Sequence, residues 1–75
     1  RITPHEANLI QYLAQHQERI VTRAELLKHV WGLDPDIETR TVDTFISRIR
    51  RYLEDDPSNP VHIVSIRGRG YRFIP

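Results

Sequence analysis

Arginines and small hydroxyl side chains recur at helical spacing between positions 40 and 51. At about 100° per residue, Arg40, Thr44, Ser47 and Arg51 share one face of a helix, with Arg48 beside them. No acid lies on the centre line of that face. Guanidinium groups pair with phosphates and bidentately with guanine edges, and small side chains let a helix sit deep in a groove. These are the side chains of a helix that reads duplex DNA. A second set, Arg67, Arg69 and Arg72, surrounds the glycines of RGRGYR. Arginines on a hairpin can rest on the phosphate backbone or enter a narrow minor groove.

Other chemistries find little footing. His5, His16, His29 and His62 are scattered without ligand-spaced partners, and there is no cysteine, so neither a metal site nor a disulfide framework is expected. Gly68-Arg69-Gly70 lacks the following helix that a phosphate-cradling glycine loop requires. The run Glu54-Asp55-Asp56 has no partner acid that would suggest general acid–base catalysis. The sequence therefore carries no catalytic set and calls for no cofactor, which argues against an enzyme. Nothing resembles a signal peptide, and no apolar run approaches the ~20 residues of a membrane span.

With 75 residues, the chain is a single domain near the lower size limit for folding without staples. Its net charge of +1 says little, but the distribution says more. Residues 1–39 hold four basic and six acidic side chains, a balance of −2, while residues 40–75 hold seven and four, a balance of +3. All seven of those basic residues are arginines.

The elements that must position these arginines can be read in order. Thr3-Pro4-His5-Glu6 is a capping box with proline at the first helical position, and Leu9, Ile10, Leu13 and Ala14 follow as a buried stripe ending near His16 or Gln17. Ile20-Val21 is too short for an independent strand but can pair with another edge. Thr22-Arg23-Ala24-Glu25 is a second capping box, opening a helix whose Leu26, Leu27, Val30 and Trp31 face inward and which Gly32 ends. A loop rich in acids (Asp34, Asp36, Glu38) leads to the arginine-faced helix, about 39–54, whose other side carries Val42, Ile46, Ile49 and Leu53. The polar segment 54–60 then breaks the helix before a hairpin over 61–74. With Gly68-Arg69 as a two-residue turn, Val64, Ile66, Tyr71 and Phe73 would share one face and Ser65, Arg67 and Arg72 the other. The expected fold is α+β and mainly helical: three helices, a short strand and a C-terminal β-hairpin, with residues 23–54 as a helix-loop-helix unit. This is a winged helix-turn-helix.

These residues resemble the DNA-binding domains of OmpR/PhoB-type bacterial response regulators. The likeness rests on Leu26-Leu27 with Val30-Trp31-Gly32, on Arg40-Thr41-Val42-Asp43 with Ile46 and Arg48-Ile49-Arg50, and on Arg67-Gly68-Arg69-Gly70-Tyr71-Arg72-Phe73. It covers essentially the whole chain. It implies a bacterial, cytoplasmic transcription regulator that binds double-stranded promoter DNA, two copies lying head-to-tail on direct repeats. A sensor kinase would act only through a receiver domain, and both the receiver and the family's N-terminal sheet are absent from these 75 residues. The chain thus looks like a truncated output domain. Two alternatives carry the same fold: the output domain of a receiver-less, one-component regulator, such as a membrane-anchored one, or a winged helix used to bind protein.

By resemblance, Arg40 and Thr41 match positions that hold phosphates. Thr44 and Arg48 match base-edge and backbone positions, and Ser65 and Arg67 match wing positions, with Arg67 the candidate for the minor groove. Arg51 and Ser47 extend the helix face, and Arg69 stands at the wing tip. The loop carrying Asp34, Asp36 and Glu38 is either a solvated turn or a contact for RNA polymerase. Phe45 and Ser47 depart from the family's longer polar side chains, so base preference does not transfer. Phe45 either packs on the core flank or touches a thymine methyl, and Trp31 either fills the core or reaches a phosphate. Arg50 lies off the polar centre line and is expected to pair with Asp43 or another acid. Asp43, in the first helical turn, is expected to be structural.

Overall fold

Local capping decides where the first helix starts. Thr3 Oγ1 accepts the Glu6 N–H at 3.3 Å while Glu6 Oε1 accepts the Thr3 N–H at 2.9 Å, closing the expected box. The computed structural model describes residues 2–75. In it, α1 spans Pro4–Gln15, α2 Arg23–His29 and α3 Thr41–Leu53, followed by strands β1 (Ile63–Ile66) and β2 (Gly70–Phe73). None of the helices in the described residues is long and apolar enough to cross a membrane.

The three helices bury Leu9, Leu13, Leu26, Leu27, Val42, Ile46 and Ile49 against one another, and Val21, Ile63 and Tyr71 close the core from the hairpin side. The apolar stripe of α3 lies where its periodicity puts it. Val21 pairs as expected with an edge, exchanging both backbone hydrogen bonds with Tyr71 at 2.8 and 2.9 Å. At the end of α2, Gly32 adopts φ +66°, and the N–H groups of Gly32 and Leu33 satisfy the carbonyls of Lys28 and Leu27.

Two expectations need correction. The hairpin is one residue out of the expected register: Ile63 pairs with Phe73, Val64 with Arg72, Ser65 with Tyr71 and Ile66 with Gly70. Its loop has three residues, Arg67, Gly68 and Arg69, with Gly68 at φ +74° and the Arg69 N–H on the Ile66 carbonyl at 2.9 Å. Paired residues share a face, so Ile63, Ser65, Tyr71 and Phe73 look toward the helices while Val64 and Ile66 look away. The cause is tertiary. Tyr71 spends its N–H and C=O on Val21, so the residue opposite it on β1 must form a non-hydrogen-bonded pair. Only the longer loop brings Ser65 there and puts the fully buried Ile63 in the core.

The second correction concerns the second capping box, of which only half forms. Thr22 Oγ1 accepts the Glu25 N–H at 3.1 Å, but the Glu25 carboxylate turns to Arg19 and to the Tyr12 hydroxyl. The Arg19 guanidinium first, and the Tyr12 hydroxyl after it, outweigh partial burial and hold the Glu25 carboxyl at about 2. A carboxyl whose folded pKa lies below its unfolded value stabilises the fold above the unfolded value and loses that contribution as pH falls. Glu25→Gln is therefore expected to flatten the acid limb of stability between pH 4.5 and about 2. Urea unfolding of both chains at pH 7 and pH 3 checks this: the gap between them should shrink at the lower pH, and a constant gap would contradict it.

Candidate nucleic-acid interface

Thirteen residues at about 1.5 Å rise give α3 a length of roughly 20 Å, and its diameter with side chains, about 10–12 Å, matches a major groove about 12 Å wide. Burial of Val42, Ile46 and Ile49 on one side turns Thr44, Ser47, Arg48 and Arg51 outward, and all four are exposed. Arg40 is the N-cap residue and is exposed, with no side-chain cap bond. Thr41 is half-buried: its N–H donates to Thr39 Oγ1 at 3.2 Å and the two hydroxyls lie 2.8 Å apart. Among the described residues the salt bridges are Arg19–Glu25 and Arg23–Asp43, so Arg48, Arg51, Arg67, Arg69 and Arg72 form no ion pair, while Arg40 acts on Asp43 only through space. In the loop ahead of α3, Asp34, Asp36 and Glu38 are exposed together with Leu33 and Ile37.

Arg67 and Arg69 flank Gly68 on the wing loop, all three exposed. Two sets of contacts fix the base of the wing to α3. Asp43 Oδ1 accepts from the Tyr71 hydroxyl and from Arg23 Nη2 at 2.8 Å, joining the starts of α2 and α3 to β2. Burial alone would raise the Asp43 pKa, but the Tyr71 hydroxyl and the Arg23 guanidinium outweigh it and hold the carboxyl below its ordinary range. Asp43 is thus structural, as its place in the first turn suggested. Arg50, by contrast, does not pair with an acid. It donates to the Ile63 carbonyl from Nε at 3.1 Å and Nη2 at 2.8 Å, and to Ser65 Oγ at 3.0 Å. Its place beside β1 puts a backbone carbonyl, not a carboxylate, within reach. Ser65 is exposed, with its hydroxyl turned to that guanidinium.

Arg23 did not stand out in the sequence. It borders an open cleft of about 270 Å³ shared with Ser65–Tyr71 of the wing, and a wider one shared with Thr39, Arg40 and Asp43. One signal could have marked it: a cation at the first position of a helix opposes the macrodipole, so it needs a compensating anion. Asp43 is that anion. Phe45 and Trp31 are half-buried and pack edge to face, centroids 5.2 Å apart, on the flank of the core.

No group of three or more histidine, cysteine or acidic side chains among the described residues is placed to hold a metal ion. The arrangement presents one cationic helix face and one cationic loop, with part-buried and exposed contacts that hold their relative positions.

Comparison with known proteins agrees with this geometry. The family model described as "Transcriptional regulatory protein, C terminal" matches residues 1–73. The sensory transduction protein RegX3 of Mycolicibacterium smegmatis is 43% identical over 68 residues, 91% of this chain and 30% of its own length. The chain thus spans about a third or less of the curated relatives it matches. The Klebsiella pneumoniae RstA DNA-binding domain, solved in complex with the RstA box, superposes with a TM-score of 0.88 at 34% identity, over 97% of this chain and 72% of that one. The response regulator DrrB, an OmpR/PhoB homologue of Thermotoga maritima, gives a TM-score of 0.88 at 37% identity over all of this chain and 34% of its own.

Proposed function

The chain belongs to the family of transcriptional regulatory protein C-terminal domains, and on that premise we propose that it is the promoter-binding output unit of a two-component response regulator. The observation that carries this reading is the exposed Thr44, Ser47, Arg48 and Arg51 face of α3, fixed by Asp43 and Arg50 to a wing whose loop presents Arg67 and Arg69. Insertion of α3 in the major groove brings Thr44, Ser47 and Arg48 to base edges, with Arg51 on the same exposed face. Arg40 and Thr41 at the helix start hold phosphates, as does Arg69 on the wing loop. Arg67 enters the adjacent minor groove, and Ser65 lies at the wing base. The full regulator pairs two such units on direct repeats, receives its phosphoryl signal through another domain, and offers the Asp34–Glu38 loop to RNA polymerase.

Each phosphate neutralised releases counterions, so affinity for duplex DNA should fall steeply with salt. A titration of the chain with a duplex enriched from a random library, at two salt concentrations, tests this. Shifts confined to residues 40–51 and 65–69 with a steep salt slope support the reading, and a folded chain that ignores DNA at low salt overturns it. Arg48→Ala is expected to weaken the enriched duplex by about 1–3 kcal/mol, the worth of a bidentate guanine contact. Equal losses on enriched and scrambled duplexes would assign Arg48 to the backbone instead.

A further inference from the structure

Arg48 meets no acid, yet its side chain has a partner. Its guanidinium carbon lies 4.9 Å from the centroid of the Phe45 ring, three residues earlier on the same helix, where side chains of α3 are neighbours. Phe45 is itself held. Trp31, just past α2, meets it edge to face at 5.2 Å, and His5, in the first turn of α1, approaches at 6.2 Å and 74°. His5 also stacks on Trp31 at 6.0 Å with the planes 10° apart. All three helical segments thus converge behind one exposed arginine.

We propose that Phe45, backed by Trp31 and His5, is a positioning residue that orients the Arg48 guanidinium for base reading and so sets sequence preference. The inference rests on the base-reading role given to Arg48 above. An unsupported arginine gives up much of its rotamer freedom when it docks, and a guanidinium already held over a ring has less to lose. A ring on one side of the guanidinium leaves the N–H donors on its other sides free, and two of them can make the paired donation to guanine O6 and N7. The ring attracts the cation as well, by an amount that corresponds to roughly 2- to 5-fold in an equilibrium constant at an exposed site. The pattern also explains an apolar aromatic beside the groove-facing residues. Phe45 supports a neighbour that reads the bases and need not read one itself.

Four chains measured on the enriched and a scrambled duplex at one salt concentration test the proposal: wild type, Phe45→Leu, Arg48→Ala and the double variant. Phe45→Leu should weaken the enriched duplex roughly 2- to 5-fold, leave the scrambled one unchanged, and have no further effect once Arg48 is alanine. Phe45→Tyr keeps the ring and should bind as the wild type does. An equal effect of Phe45→Leu in both backgrounds, an equal effect on both duplexes, or failure of Phe45→Tyr to restore binding overturns the proposal. If Phe45→Leu does not fold, the free wild-type chain still answers by NMR: the Arg48 δ protons should be shifted upfield by the ring and show nuclear Overhauser contacts to Phe45. Random-coil shifts there overturn the ring contact while leaving the DNA reading intact. An Arg48 held over the ring in a chain that binds every duplex equally overturns its base-reading role, and the positioning role with it.

Discussion

Gly70→Ala is expected to cost more than about 3 kcal/mol, against about 1–2 kcal/mol for Gly68→Ala two residues earlier. Both glycines sit in conformations that L side chains rarely adopt, with φ +152° at Gly70 and +74° at Gly68. Their surroundings differ. A Cβ on Gly68 would meet nothing within 4 Å, so alanine there meets only the left-handed backbone penalty. A Cβ on Gly70 would lie 2.2 Å from the Val21 carbonyl oxygen and 2.9 Å from Thr22 Cα. Both obstacles are backbone, so no side chain can swing away to relieve the overlap. Relief requires β2 to move off Val21, breaking two backbone hydrogen bonds and uncovering a core that Val21 and Tyr71 close. A domain of 75 residues has a total stability of only roughly 4–11 kcal/mol, at about 0.05–0.15 per residue. At the lower end of that range, Gly70→Ala leaves the domain barely folded at room temperature. Urea unfolding of the two alanine variants separates the cases, and equal losses would contradict the close approach.

The same segment shows what local sequence determines and where it stops. Thr3 and Glu6 lie three residues apart, and their cap depends on nothing outside the first turn, so it can be read directly. The α3 stripe is equally local, because helical periodicity alone sorts Val42, Ile46 and Ile49 from Thr44, Ser47 and Arg51. The hairpin register is decided elsewhere. Alternation alone favoured the two-residue turn, since that register gathers four large apolar residues on one face, but it cannot count the bonds Tyr71 gives to Val21, fifty positions earlier. Glu25 tells the same story in miniature. A capping-box spacing permits the carboxylate to turn back, and a tertiary arginine with a tyrosine hydroxyl outcompetes it. The outward arginines of the interface are legible because exposure follows from periodicity. The contacts that aim them, such as Arg23 with Asp43 or Arg50 with the Ile63 carbonyl, join residues far apart in the chain and are not.

Glu54 is the largest such omission, and its removal carries the second large expected effect. In sequence it opens a polar breaker run. In the structure it is 6% exposed and ends α3 by receiving the chain that returns as β1. Oε1 accepts the N–H of Val61 at 2.9 Å, and Oε2 accepts those of His62 at 2.9 Å and Ile63 at 2.7 Å. Burial opposes ionisation here, but the backbone donors, Ile63 foremost, outweigh it and hold the carboxyl below its ordinary range. Hydrogen bonds to a charged acceptor contribute about 1.5–3 kcal/mol each, and a buried donor stripped of its acceptor costs about 1–3. Because the losses share one site and are not additive, Glu54→Ala is expected to destabilise by roughly 3–4 kcal/mol.

Glu54→Gln is the sharper test, since it preserves shape and size. Glutamine supplies one oxygen and one NH₂, and every neighbour around this carboxylate is a donor. Whichever way the amide turns, its NH₂ faces an N–H, so Glu54→Gln should be nearly as damaging as Glu54→Ala. Acid should act in the same direction on the wild type. A folded-state pKa below the unfolded one means that the stabilisation is complete above the ordinary carboxylate range and is lost as pH falls below that range, through the lower folded-state value. The wild type and Glu54→Gln should therefore converge in stability as the pH is lowered. Because the carboxylate ties the end of α3 to the start of the wing, amide exchange at Val61–Ile63 should accelerate in the variant before the rest of the domain opens. A Glu54→Gln chain as stable as the wild type at neutral pH would mean that the three N–H groups at the junction between α3 and the wing do not depend on a full negative charge.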